Sequence, residues 1–174
     1  MHESFVIYGA GGHAKVVYEL ITELGHQVDS FFDDSGVNQP FGNLGIPVHK
    51  YDPSIFPDAK LIIAVGNSVV RKKIADLVGH RFATLIHPQA SVSRTANIGL
   101  GSIVLAHATV QADVQIGDHV IVNANTCIDH EVKVESFVHI SPLCYIGSAC
   151  LIQEGVTVQP ATAILRNTTV SLNT

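Results

Sequence analysis

Ile116-Gly117-Asp118-His119-Val120-Ile121-Val122-Asn123-Ala124-Asn125-Thr126-Cys127-Ile128-Asp129-His130-Glu131-Val132-Lys133-Val134 decides the fold. A β-branched residue returns every sixth position, at Ile116, Val122, Ile128 and Val134. Extended in both directions, the same step lands on Val92, Ile98, Val104, Val110, Ile140, Ile146, Ile152, Val158, Ile164 and Val170. Four residues behind each of these runs a row of small or β-branched side chains, from Ala96 and Ser102 through Cys144 and Cys150 to Thr168. Gly99, Gly117 and Gly147 follow directly on the first row. The period is neither that of an α-helix nor that of an alternating strand. Each six-residue unit reads as a short strand plus a corner, with the Val/Ile row pointing inward at every corner. Three units close a triangular coil of about 18 residues. The expectation for 89–174 is therefore an all-β left-handed parallel β-helix of a little over four coils. Its handedness is one of the few departures from the right-handed crossover rule.

This repeat accounts for an odd composition. Charged residues make up 14% of the 174 and aromatics 6%, with no Trp and a mean hydropathy of +0.31. Such numbers suggest a membrane, yet no stretch approaches the ~18–20 apolar residues of a spanning helix. The abundant Val, Ile and Leu exclude disorder. A net charge of −5 with scattered Lys and Arg argues against nucleic acid as a partner. The opening residues show no basic segment followed by an apolar core, and Cys127, Cys144 and Cys150 make no disulfide framework. The expectation is a reduced, cytoplasmic protein.

The residues before the repeat follow different statistics. Residues 1–88 hold 16 charged residues and nine of the eleven aromatics. A boundary near Pro88 gives two domains, 1–88 and 89–174. Phe5 to Tyr8 reads as a strand, ending in Gly9-Ala10-Gly11-Gly12-His13-Ala14-Lys15. A helix follows, with Val16, Val17, Leu20, Ile21 and Leu24 on one face and Gly25 as its stop. Val28 to Phe32 is a second strand ending at Asp33-Asp34. Residues 35–60 form a loop-rich link with a short strand at 46–48. Leu61 to Val65 is a buried strand leading through Gly66-Asn67 to a helix over 69–78. This pattern predicts a small Rossmann-like α/β domain.

Several residues point to chemistry. Gly9, Gly11 and Gly12 stand between a strand and a helix, where backbone N–H groups meet an anion; a tight structural turn is the competing account. Asp33 and Asp34 end the second strand, where ribose or base hydroxyls are held. Gly66-Asn67 ends the third strand at the same edge. In the solenoid, inward positions are apolar, so His107, His119, His130 and His139 are expected on the outer surface. His130 lies between Asp129 and Glu131, an arrangement suited to a general base. Asn123 and His139 are polar residues of the same coils. No metal-ligand spacing occurs, and Cys144 and Cys150 hold packing positions.

Taken together these residues resemble the hexapeptide acyltransferases that N-acetylate nucleotide-linked amino sugars in bacterial glycan and sialic-acid-type biosynthesis. The resemblance covers the whole chain. It rests on Tyr8 to Lys15, on Asp33-Asp34, and on Ala64-Val65-Gly66-Asn67 with Arg71-Lys72-Lys73. It also rests on Ile86-His87-Pro88, on Asn123 through Asp129-His130-Glu131, and on Phe137 through Pro142. It implies a homotrimer with active sites between neighbouring β-helices and acetyl-CoA as co-substrate. Gly9, Gly11, Gly12, His13, Asp33, Asp34, Gly66 and Asn67 would lie on the nucleotide-sugar side. His130 would take a proton from a 4-amino-4,6-dideoxy sugar amine, oriented by Glu131. Asn123 would hold the amine region, and His139 would contact the acetyl-CoA carbonyl side. Ser148 stands where the family often has Gly near the thioester arm, and Gln153, Gln159 and Leu165 replace later glycines. Two other readings remain beside this one. They are a sugar O-acetyltransferase and a non-catalytic nucleotide-sugar-binding module.

Overall fold

A computed structural model describes residues 3–35 and 40–172, so residues 36–39 of the loop-rich link lie outside the described residues. The chain forms two compact units, Met1–Gly66 with Lys73–Ala83, and Asn67–Lys72 with Thr84–Thr174.

The first unit is a short α/β fold. β1 (Ser4–Tyr8), β2 (Gln27–Phe32), β3 (Val48–His49) and β4 (Lys60–Ile63) make one parallel sheet in the order β3-β2-β1-β4. Parallel strands buried on both faces need near-continuous apolar runs, and Val6, Ile7, Phe31, Phe32, Leu61 and Ile62 are fully buried. α1 (Gly12–Glu23) buries Ala14, Val17, Leu20 and Ile21, while Val16 remains 41% exposed. The buried stripe is thus rotated from the expected one, with Ala14 replacing Val16. Gly25, at φ +79°, turns the chain out of this helix. α2 (Ser68–Leu77) follows β4, and its first residues group with the second unit.

The second unit is a parallel β-solenoid. Among the described residues, fifteen two-residue strands, β5 (Leu85–Ile86) to β19 (Thr169–Val170), form three sheets, each five strands deep. The solenoid therefore starts with β5, ahead of the first hexapeptide counted from Val92. Each strand pairs in parallel with the strand 18 residues away, as Cys127 with Tyr145 and Ile128 with Ile146. The Val/Ile row occupies the second residue of each strand, not the corner. With the small row behind it, it fills one continuous core from Val104 to Ile164. Each buried Val or Ile contributes roughly 1.5–3 kcal/mol. Polar members of the small row are satisfied by the next coil. Thr126 Oγ1 donates to the Ser141 carbonyl at 3.0 Å, Cys144 Sγ to Gln159 at 3.1 Å and Cys150 Sγ to Leu165 at 3.0 Å.

The corners carry a second six-residue period. From Gly101 to Asn167 every sixth residue has positive φ, and only Gly101 and Gly155 among the twelve are glycine. His107, Asp113, His119, Asn125, Glu131, Phe137, Leu143, Ala149, Ala161 and Asn167 adopt φ of 55–62°. This conformation costs an L-residue about 1–2 kcal/mol. The return is a stacked hydrogen bond. Glu131 N–H donates to the Ala112 carbonyl at 3.0 Å, Phe137 to Asp118 at 2.9 Å and Ala149 to His130 at 3.2 Å. Gly99 serves differently. A Cβ there would sit 2.5 Å from the Gly117 backbone of the next coil.

Two glycine exchanges should therefore behave oppositely. Gly99→Ala forces neighbouring corners apart and should lower Tm by roughly 5–10 °C. Leu143→Gly, at an exposed positive-φ corner, trades backbone strain for chain entropy and should stay within about 1 kcal/mol of the parent. Thermal denaturation of both variants checks the pair.

Candidate active site

In the first unit, the carboxyl ends of β1, β2 and β4 lie on one sheet edge. That edge brings together the glycine loop, Asp33-Asp34 and Gly66. Gly9 is fixed by the fold. Its φ is +109°, its N–H donates to the Phe32 carbonyl at 2.7 Å, and a Cβ would meet the Ala64 carbonyl oxygen at 3.0 Å. Gly11 and Gly12 are different, because a Cβ on either meets nothing within 4 Å. Packing does not require their small size. Gly11 is the N-cap of α1, with no side-chain cap on the helix end, and His13 sits half-buried in the first turn.

Asp33 Oδ2 accepts the Ala10 N–H at 2.8 Å, and its Oδ1 accepts Ser35 N–H and hydroxyl. Asp33 thus braces the glycine loop. Asp34 is exposed, and Tyr8 donates its hydroxyl to Asp34 Oδ2 at 3.4 Å. Burial, followed by the Asp34 charge, pushes the Tyr8 phenol up to about 12. Asn67 groups with the solenoid unit, where its Oδ1 accepts the Val70 N–H at 3.0 Å as the N-cap of α2.

In the solenoid, Asp129-His130-Glu131 forms the corner after β12 (Cys127–Ile128). His130 and Glu131 are the central residues of the turn, so both side chains project outward. Glu131 Oε2 lies 3.0 Å from His130 Nδ1. Asp129 Oδ1 accepts the His130 backbone N–H at 2.8 Å and lies 3.8 Å from Nε2. Its Oδ2 accepts the hydroxyl of Tyr145, on β15 (Tyr145–Ile146), at 3.1 Å. The His130 N–H, and then the Tyr145 hydroxyl, hold the Asp129 carboxyl below its usual range. The same contact pushes the Tyr145 phenol up. With Nδ1 against Glu131, Nε2 is the ring nitrogen directed away from it.

The neighbouring coils supply the other expected residues. Ser148 lies one coil beyond His130 in the same corner column, and the adjacent Ala149 N–H donates to the His130 carbonyl. Asn123 and His139 meet at the preceding corner, with Nδ2 3.5 Å from Nε2, while Asn123 Oδ1 accepts the Ala124 N–H. β12 separates the Asn123 corner from Asp129-His130-Glu131 on one coil, while His139 stands on β14 (His139–Ile140) of the next coil, paired with Ile121. His119 departs from the outer-surface expectation. It is buried and stacked on Phe137, with ring centroids 5.1 Å apart at 8°. Its ring fills the space that Gly101 leaves on the coil before, where a Cβ would lie 2.2 Å from the His119 Nδ1. Tyr145 was not singled out from the sequence. The coil period was its signal, since 18 residues separate it from Cys127 on the outward column.

Arg71, within the resemblance's second nucleotide-side motif, is an interior residue at 1% exposure. Its Nε donates to the His119 carbonyl at 2.8 Å and its Nη2 to Phe137 at 2.6 Å and Val138 at 3.2 Å. Burial pushes its guanidinium down to about 10. Among the described residues, no group of three or more His, Cys, Asp or Glu could hold a metal ion. No helix among them is long and apolar enough to cross a membrane.

Comparison with known proteins shows what the chain is similar to. Residues 4–78 match the PglD N-terminal domain family. The acetyltransferase domain of PglB from Neisseria gonorrhoeae FA1090 is 30% identical, with a TM-score of 0.74, over 98% of this chain and 92% of that one. The chain belongs to the hexapeptide-repeat nucleotide-aminosugar N-acetyltransferase family. A second structure of the PglB domain, in complex with acetyl coenzyme A, is 34% identical over 97% of this chain and 88% of that one, with a TM-score of 0.71. PerB from Caulobacter crescentus, in complex with CoA and GDP-perosamine, is 28% identical with a TM-score of 0.70, covering 95% of this chain and 84% of that one. UDP-N-acetylbacillosamine N-acetyltransferase of Bacillus subtilis (strain 168) is 37% identical over 113 residues, 60% of this chain and 52% of that protein. The chain spans about half the length of the curated N-acetyltransferases it matches.

The contacts of Arg71 make it a structural clamp in this family member. Arg71→Met leaves the solenoid carbonyls without their charged donor and should cost about 2–4 kcal/mol, a Tm loss of roughly 5–15 °C. Arg71→Lys should recover little, because an ammonium lacks the planar fork. Unchanged melting with weakened nucleotide binding would place Arg71 on the ligand side instead.

Proposed function

We propose that the chain transfers the acetyl group of acetyl-CoA to the amine of a nucleotide-linked 4-amino-4,6-dideoxy sugar, with His130 as general base. One observation carries the mechanism. Glu131 engages Nδ1 of an exposed imidazole at 3.0 Å, which favours the tautomer whose Nε2 accepts a proton. The complexes of relatives with acetyl coenzyme A and with CoA plus GDP-perosamine support the two substrates. Their amino sugar favours N- over O-acetylation.

The sugar ammonium gives one proton to His130 Nε2, and the half-exposed imidazole passes it to water. The amine lone pair attacks the thioester carbonyl, forming the C–N bond while the π pair moves to oxygen. Collapse expels the CoA thiolate. The second nitrogen proton reaches that sulfur through Nε2, giving the amide and CoA thiol. No covalent enzyme intermediate is needed, and bringing the two substrates together supplies much of the acceleration. His139 and Ser148 would lie on the acetyl-CoA side, and Asn123 by the sugar amine.

The α/β unit is read as the nucleotide-sugar domain. Its strand order 3-2-1-4 fits half of a doubly wound Rossmann-like sheet. Gly11 and Gly12 leave the backbone open at a helix N-terminus, Asp33 fixes the loop, and His13, Asp34 and Gly66 would flank the nucleotide. The solenoid is read as left-handed, the assembly as a homotrimer and the compartment as the cytoplasm.

Two experiments test the reading. His130→Ala removes an exposed side chain, so Tm should hold while kcat/KM falls by roughly 10²–10⁴; turnover within a few-fold of the parent would remove His130 from the mechanism. Gly12→Ala meets no neighbour and improves a helix position. It should raise stability by up to about 1 kcal/mol while weakening nucleotide-sugar binding. Unchanged affinity by calorimetry would make the loop a structural turn.

A further inference from the structure

We propose that Asp129 is the ammonium-recognition residue of this site and that Tyr145 is the residue that positions it. The inference rests on the acetyl-transfer reading above and assigns the two carboxylates beside His130 to different tasks. Glu131 faces Nδ1 at 3.0 Å and acts on the ring. Asp129 stands on the other side of the imidazole, its Oδ1 3.8 Å from Nε2. That separation is too long for a direct hydrogen bond. It suits one primary ammonium donating to both atoms with N–H contacts of about 2.8 Å. The acceptor that receives the proton and the carboxylate that holds the cation then share a single donor.

Asp129 is built to stay in place. It carries 20% side-chain exposure against 64% for Glu131. One oxygen accepts the turn's own N–H and the other accepts the Tyr145 hydroxyl from the next coil, so both rotation and retreat are opposed. Each oxygen keeps a lone pair for a further donor. The groups around the site are Asp129 and Glu131 on its turn, Asp113 on the preceding coil's turn and Tyr145 on β15. The following turn offers only Gly147, Ser148 and Ala149, which are uncharged. Three carboxylates, Asp113, Asp129 and Glu131, therefore stand in this corner column, with Lys133 at the start of the next strand. A hydroxyl in the same place would gain far less from Asp129, because charge-assisted hydrogen bonds are roughly twice as strong as neutral ones. Asp129 would thereby select an amino sugar over its hydroxyl counterpart before chemistry begins.

The test is calorimetric, on the full chain without acetyl-CoA. The probes are matched UDP-, dTDP- and GDP-linked sugar pairs, each an amino sugar and its hydroxyl counterpart, with GDP-perosamine, bound by a relative, as the GDP amine. The parent chain should favour the amine by roughly 10- to 100-fold. Asp129→Asn keeps the shape and the turn hydrogen bond, and should reduce that ratio to within about 3-fold of unity with Tm unchanged. Tyr145→Phe should lower the ratio by roughly 3-fold, and in turnover should raise KM for the amino sugar with little change in kcat. His130→Ala should lose turnover but keep most of the ratio, which separates the base from the ammonium site. An Asp129→Asn chain that still prefers the amine as the parent does overturns the assignment, as does a parent that binds both sugars alike while transferring acetyl groups. Failure to bind any of the three pairs overturns both this inference and the reading beneath it.

Discussion

A residue with positive φ at every sixth position holds the solenoid in its shape. From Gly101 onward that conformation turns the chain between two-residue strands and aims the corner N–H at the coil before. The cost of about 1–2 kcal/mol per L-residue is met by a hydrogen bond of comparable worth and by the Val/Ile stack it permits. Neither term suffices alone. Without the corner the stack has no closure, and without the stack the strained corner would relax.

The same geometry decides where chemistry can stand. Inward positions are sealed by the stacked Val/Ile row, as with Ile128 and Ile146 at 0% exposure, and strands are only two residues long. What remains is the outward strand column and the turn. His130 and Glu131 occupy the turn, rigidly backed by Ala149 N–H on the His130 carbonyl. Tyr145 occupies the outward column one coil on, within reach of Asp129. Stacking coils at fixed register therefore assembles a site from residues about 16–19 apart without any mobile loop.

The solenoid was legible because its signal is long: fourteen Val or Ile at one period leave little room for another fold. The corner conformation was not legible, since ten of the twelve positive-φ corner residues are not glycine and range from Asp113 to Phe137. Backbone geometry imposed by neighbours overrides residue preference there. His119 is buried against Phe137, when a surface position was expected, because Gly101 on the coil before leaves room for its ring. The pairing of His130 with Glu131 could be read from adjacency, and that of Asn123 with His139 from the shared coils. The Tyr145–Asp129 contact needed the coil register, and the burial of Arg71 could not be inferred from a basic Arg71-Lys72-Lys73 run. In the α/β unit, Gly9, Gly11 and Gly12 looked alike in sequence. The structure separates Gly9, held by Ala64 and a positive φ, from the two glycines that packing leaves open.

Acetyl transfer to nitrogen on a nucleotide sugar is the chemistry to which the Asp129-His130-Glu131 corner has been assigned. It is checked by a single-turnover reaction of the purified chain with isotopically labelled acetyl-CoA and a panel of UDP-, dTDP- and GDP-linked amino sugars, the products being resolved by mass and base lability. The expected outcome is label in a base-stable amide on one nucleotide amino sugar, with stoichiometric release of CoA thiol. Label in a base-labile ester, or CoA bound without transfer to any member of the panel, would refute that assignment.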